Sequence, residues 1–210
     1  MSNSIRGLNI LSKTFCLMSL VILAGCAASR GTINSFYEPS YMQGSVNLLA
    51  IPTIRNARLA PSESQQIGRS VNRAIAEKNP TVKIMSANKF SNLLNDSGLV
   101  DSYADFIEDY ITSGIANREF LENLRNNDID AIMISELSNA YRADGSLGYN
   151  LGETRVTISF TIIDTKTNDV IWTAIADGKK GTASTLGDAP PLIEAINLAV
   201  EKIVGAVPTL

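Results

Sequence analysis

The chain has 210 residues, 45% of them hydrophobic, which is enough for one domain with a buried core. It contains no histidine and carries a formal charge of −3. The commonest general base and the commonest metal ligand are therefore missing, and no basic excess exists to neutralise nucleic-acid phosphates.

The amino terminus reads as a targeting segment. Arg6 and Lys13 form a positive leader, and residues 15–24 are an apolar run. That run falls short of the roughly 20 residues a membrane-spanning helix needs and fits the hydrophobic region of a secretory signal. It closes on Leu23-Ala24-Gly25-Cys26, which resembles a bacterial lipobox. The resemblance implies a lipoprotein signal peptide over residues 1–25, cleaved after Leu23, Ala24 and Gly25, with a lipidated Cys26 as the first mature residue. Cleavage takes away Arg6 and Lys13 and no acidic residue, so 16 basic and 21 acidic side chains remain, a net charge of −5. Cys16 leaves as well, and Cys26 then has no disulfide partner. Ala27, rather than aspartate, follows the cysteine. By the sorting rule of enterobacterial lipoproteins this implies the periplasmic face of the outer membrane.

Residues 26–45 read as a lipidated tether, and 46–205 as a periplasmic domain. The tether's 18 residues from 27 to 44 would reach about 60 Å at most. Residues 46–51 predict a first strand ended by Pro52, and 53–60 an exposed loop with Arg55 and Arg58. Ser62 is the predicted N-cap of a helix that buries Ile67, Val71 and Ile75 and stops at Asn79-Pro80. A short strand over 81–85 precedes three helices. The first buries Phe90, Leu93 and Leu94. The second carries the stripe Tyr103, Phe106, Ile107, Tyr110 and Ile111, and the third places Phe120, Leu121 and Leu124 inward.

Residues 129–137 are apolar on both faces, as suits a central strand. A polar connection over 139–152, holding Tyr141 and Tyr149, leads to an antiparallel hairpin. Thr154, Val156, Ile158, Phe160 and Ile162 share one parity of its first strand, and residues 164–169 turn into a second strand containing Trp172. Residues 178–191 read as a loose segment before a last helix with Leu192, Ile193, Ile196, Val200 and Ile203 inward. The fold class expected is α+β, a single mixed β-sheet flanked by helices, with the antiparallel hairpin in the carboxyl-terminal half and a final helix.

Reactive constellations do not emerge. Without histidine no conventional triad forms, and Ser86-Ala87-Asn88-Lys89 has serine–lysine spacing but none of the companion motifs. Gly178-Lys179-Lys180-Gly181-Thr182 lacks the upstream glycines of a phosphate-binding loop. Asp128, Asp130 and Glu136 read as structural charges. No enzyme activity, cofactor, metal or nucleic-acid partner is expected.

Several stretches carry a family resemblance: the lipobox, Lys83-Ile84-Met85-Ser86, Leu93-Leu94, Ile129-Asp130-Ala131-Ile132-Met133-Ile134-Ser135, and the hairpin from Val156 to Trp172. Together they resemble the periplasmic domain shared by the curli secretion-channel lipoprotein, the penicillin-binding-protein activator lipoprotein and the Pel polysaccharide export lipoprotein. The resemblance implies a non-enzymatic outer-membrane lipoprotein that docks on, or assembles with, an envelope secretion, export or motility machine, with envelope proteins as partners and a homo-oligomer as one arrangement. A regulator of a peptidoglycan synthase and a small-ligand or glycan binder are the alternatives. Arg55, Arg58, Tyr103, Tyr110, Tyr141 and Tyr149 are the candidate interaction surface.

Overall fold

A computed structural model describes residues 29–38, 41, 45–54, 56, 58–146, 151–182 and 187–210. Leu23, Ala24, Gly25, Cys26, Arg55 and Tyr149 lie outside the described residues. The elements run β1 (Ser29–Tyr37), β2 (Leu48–Ala50), α1 (Pro61–Lys78), β3 (Lys83–Met85), α2 (Ala87–Asp96), α3 (Val100–Ser113), α4 (Arg118–Arg125), β4 (Ala131–Ala143), β5 (Glu153–Asp164), β6 (Val170–Gly181) and α5 (Leu192–Ala206). The six strands form one mixed sheet in the order β1-β6-β5-β4-β2-β3. β2 is parallel to β3 and β4, while β4-β5-β6-β1 is antiparallel throughout. The fold is α+β, with the β5–β6 hairpin and the final helix in the places the sequence predicts.

Period-two alternation divides the core. Val156, Ile158, Phe160 and Ile162 of β5 join Met133 of β4 and Trp172, Ala174 and Ala176 of β6 beneath α1 and α5. On the opposite face Ile132, Ile134 and Ile163 are covered by Phe90 and Leu94 of α2, Phe106 of α3, and Phe120, Leu121 and Leu124 of α4. Ile132 and Met133 are thus buried on opposite faces of one strand, the arrangement expected of a central strand between two helical layers.

Polar side chains fix the ends of the strands. The amides of Asn47 and Leu48 both donate to Asp130 Oδ2, at 2.8 and 2.9 Å, and so tie the start of β2 to the start of β4. In the hairpin turn Asp164 Oδ1 accepts from the amides of Lys166 (2.7 Å) and Thr167 (2.9 Å). Asn168 takes φ 65°, a left-handed conformation that asparagine tolerates better than most residues. Helix α1 starts two residues earlier than the Ser62 cap predicts: Ala60 is the N-cap, Pro61 follows it, and Glu63 Oε2 accepts from the Ala60 amide at 2.8 Å.

Three segments differ from the sequence reading. Ser29–Tyr37, inside the stretch read as a tether, is an edge strand paired along its whole length with β6, from Ser29 opposite Lys180 to Tyr37 opposite Trp172. Tyr37 and Tyr41 pack against the main core, and burial pushes the Tyr41 hydroxyl up to about 12. β4 runs on to Ala143 and β6 to Gly181, so residues 139–143 and 178–181 are strand where loops were expected.

One contact joins β1 to the extended end of β6. Gly31 of β1 lies directly opposite Gly178 of β6, and α5 crosses this pair. A Cβ on Gly178 would stand 1.9 Å from the Ala195 carbonyl oxygen, and one on Gly31 would stand 2.8 Å from that of Leu198. Glycine reads as a strand breaker in sequence, but here it gives a helix backbone room to lie on the sheet. Gly178→Ala should therefore cost about 1–3 kcal/mol through overpacking, a fall in Tm of roughly 3–10 °C. Gly31→Ala should cost less. Thermal unfolding of both variants checks the order, and a Gly178→Ala protein as stable as its parent would show that α5 does not lie this close.

Candidate docking surface

Helix α3 carries more apolar surface than its core contacts use. Phe106 is fully buried and stacks on Phe120 at a centroid distance of 4.7 Å. Tyr103 meets Phe90 edge-on at 5.4 Å and lies 5.7 Å from Phe120. Val100, Tyr103, Ala104, Ile107 and Ile111 then continue round the helix at spacings of three and four residues, forming one wall of a groove of about 560 Å³. Leu94 and Asn95 of α2 lie behind them. Ser135, Glu136 and Leu137 of β4 contribute further lining, and Pro52, Thr53 and Asn56 form the other rim. Val100 is 47% exposed and Ile111 49%, and Ile115, just past the Gly114 cap, is 71% exposed. Asp101 and Glu108 follow Val100 and Ile107 on the solvent flank, and α3 holds Asp101, Asp105, Glu108 and Asp109 against no basic residue. The groove is thus an apolar trough with an acidic edge along α3 and an uncharged rim at Pro52, Thr53 and Asn56.

A second cleft, of about 570 Å³, lies at the other end of the sheet among Asn139, Tyr141, Asp144, Leu151, Glu153 and Arg155. It is polar, and an ion-pair network governs it. Both Arg155 and Lys179 donate to the Glu153 carboxylate. Burial pushes that carboxyl up, but the hydrogen bonds from Lys179 and Arg155 outweigh burial and hold it below its ordinary 4.5.

The four described candidate residues do not converge on one site. Tyr103 and Tyr110 are half-buried on α3 and pack on the core beneath it. Tyr141 is 52% exposed on β4, beside the polar cleft. Arg58 Nη1 donates to the Ala140 carbonyl, and Asn56 Nδ2 to that of Leu137 at 3.4 Å. β2 pairs with β4 only at Ala131 and Ile132, so these two side chains cover backbone that β2 leaves bare, and Arg58 serves the fold. Of the four described, only Tyr103 lines the groove. Ile107 and Ile111 stand in the α3 stripe read from the sequence, whereas Val100 does not.

Among the described residues no group of three or more potential ligands could hold a metal ion, and no helix is long and apolar enough to cross a membrane.

No protein-family model matches the chain, and no curated protein matches it. Solved structures give distant likenesses. A PelC dodecamer from Paraburkholderia phytofirmans is 14% identical, over 83% of this chain and 94% of that one, with a TM-score of 0.46. The lipoprotein GNA1162 from Neisseria meningitidis is 12% identical, over 76% and 99%, with a TM-score of 0.45. The hypothetical protein CT253 from Chlamydia trachomatis is 10% identical, over 77% and 95%, with a TM-score of 0.45.

The Glu153 network sets a pH dependence. Its depressed pKa contributes stability that is present above 4.5 and lost as pH falls through the lower folded value. Glu153→Gln should melt slightly below the parent at about pH 7, and the two should converge at about pH 3. A gap that stays constant into acid would assign the loss to packing instead of charge.

Proposed function

We propose that the chain is a lipid-anchored, non-enzymatic protein of the bacterial outer membrane that docks a component of an envelope secretion, export or motility machine in the groove between α2 and α3. The observation that carries this reading is the apolar row of half-exposed Val100 and Ile111 with partly buried Ile107 between them, beside the acidic flank of α3. The occupant it suits is an amphipathic helix of a partner protein, with apolar anchors at spacings of three and four and basic residues beside them. Half-exposed Val100 and Ile111 offer about 1 kcal/mol each on burial, which suits reversible docking strengthened by charge.

The anchor is Cys26, on the strength of the lipobox-like run that ends there. The chain from Cys26 to Ser29 spans three residues, about 10 Å at most, because β1 takes up the stretch that would otherwise lengthen the leash. So short a leash favours a partner at the outer membrane over a synthase across the cell wall.

Two experiments test this reading. A photocrosslinking residue at position 111 in intact envelopes should give one discrete adduct, and one at position 202 on α5 should give none. Val100→Asp should lower the yield at 111 roughly five- to tenfold. Equal adducts from both positions, or a yield indifferent to Val100→Asp, would remove the groove from the function. Separately, Cys26→Ser should move the exported protein from the membrane to the soluble fraction with its Tm unchanged, since acyl chains supply the anchorage. Retention on the membrane after a salt wash would show that another part of the chain holds it there.

A further inference from the structure

The sheet face that carries the α2–α4 layer is covered only where β4 begins and β5 ends. Beyond Ile134 and Thr161 it is open. Cross-strand register places Tyr141, Arg155, Lys179 and Arg30 in one row across four strands, near the end of the sheet where the chain enters at Ser29. Arg30, Arg155 and Lys179 line the same shallow cleft. Like charges directly opposite each other on a sheet repel. Glu153 answers Arg155 and Lys179, and among the described residues Arg30 has no acidic partner. Lys180, next in β6, approaches Glu194 at 3.7 Å. Asp177 of β6, which accepts from the hydroxyls of Thr32 and Thr157, lines the same cleft, so three cations there meet two carboxylates, Glu153 and Asp177.

The rest of the chain is charged in the opposite sense. Residues 83–130 hold Lys83, Lys89, Arg118 and Arg125 against nine acidic side chains, a net of −5, which equals the whole net charge of residues 26–210. The remainder is balanced. This acidic half includes the α2–α4 layer, which packs on Ile163, ten residues along β5 from Glu153. At about 3.3 Å per residue the two ends stand roughly 33 Å apart.

We propose that the domain stands on the bilayer on its Ser29–Lys180 end, with Arg30, Arg155 and Lys179 against the phosphates of phospholipid headgroups and the acidic layer turned away. This rests on the anchoring reading above and specifies the surface that the anchored domain presents to the membrane. Two independent observations point the same way. The leash of about 10 Å from Cys26 leaves this end no room to lie far from the interface. The charge polarity orients the domain in the field of an anionic surface, which attracts the basic row and repels the acidic half. The groove on α2 and α3 then faces the periplasm, clear of the lipid.

The mature acylated protein, reconstituted in phosphatidylethanolamine–phosphatidylglycerol vesicles, tests this. Acylated Cys26 offers no thiol and Cys16 is removed with the signal, so a single introduced cysteine takes a fluorescent donor. Asp188→Cys places it near the Ser29 end, and Lys166→Cys places it in the turn at the far end of the hairpin. With an acceptor on the lipid headgroups, energy transfer should be efficient from position 188 and weak from 166. Equal transfer, or stronger transfer from 166, overturns the orientation. Combining Arg30→Glu with Lys179→Glu should strongly reduce the contrast in anionic vesicles. The milder pair Arg30→Gln and Arg155→Gln should reduce it less, and circular dichroism should confirm that each variant folds. A contrast unmoved by either pair overturns the headgroup contact. The intact mass of the starting protein reports acylation separately: an unmodified Cys26 in membrane-extracted protein refutes the anchor itself, whereas an acylated protein without the contrast refutes only the orientation.

Discussion

The approach of α5 to the Gly31–Gly178 pair is the contact on which the rest of the sheet depends. Ala195 and Ala199 present small side chains, and the paired glycines present none, so helix and strand backbones meet where side chains would normally hold them apart. The contact joins β1, β6 and α5 at a single point. It turns a polar amino-terminal stretch into an edge strand and gives the edge of β6 a partner. Without it β1 would have few reasons to order, since Ser29, Arg30, Thr32, Asn34 and Ser35 contribute little apolar surface.

From this follows an asymmetry between the two faces. The α1 and α5 layer runs the length of the long strands, and beneath it Val156, Ile158, Phe160 and Ile162 are all buried. The α2–α4 layer covers one end only. Past its limit β5 changes from isoleucine to threonine, serine and arginine on that face. The open end mixes a basic row with the carboxylates of Glu153 and Asp177, and the helical end collects acidic groups in excess. A domain so divided has two chemically distinct ends, and both sit at positions fixed by strand register rather than by loops. They stand about the length of β5 apart.

The acidic apolar groove follows from the same economy. Only part of the α3 circumference is needed to cover Phe120 and the sheet, and Phe106, Tyr103, Ile107 and Tyr110 supply it. Val100 and Ile111 are left half in water between α2 and the β4 edge. A soluble helix with no partner gains nothing from this second apolar row, and the charges beside it keep the surface hydrated until it is covered.

The sequence by itself determined the helices, the hairpin, its turn and the α+β class. Each of these is written in local periodicity: the four-residue spacing of Ile67, Val71 and Ile75, the alternation from Val156 to Ile162, and the Asp164 turn. It also determined which groups are missing, because a chain without histidine lacks that chemistry in any fold. Only the tertiary structure decided that residues 29–37 are strand, that Arg58 covers the β4 edge, and that Val100 and Ile111 stay half-exposed beside a groove. These depend on contacts between residues far apart in the chain. Gly31 meets Leu198, Arg58 meets Ala140, and Val100 lies near Leu137 across a groove. Local pattern records which face of an element is apolar, but not how much of that face its neighbours will cover. Coverage is settled by the lengths and crossing points of other elements, and those exist only once the chain has folded.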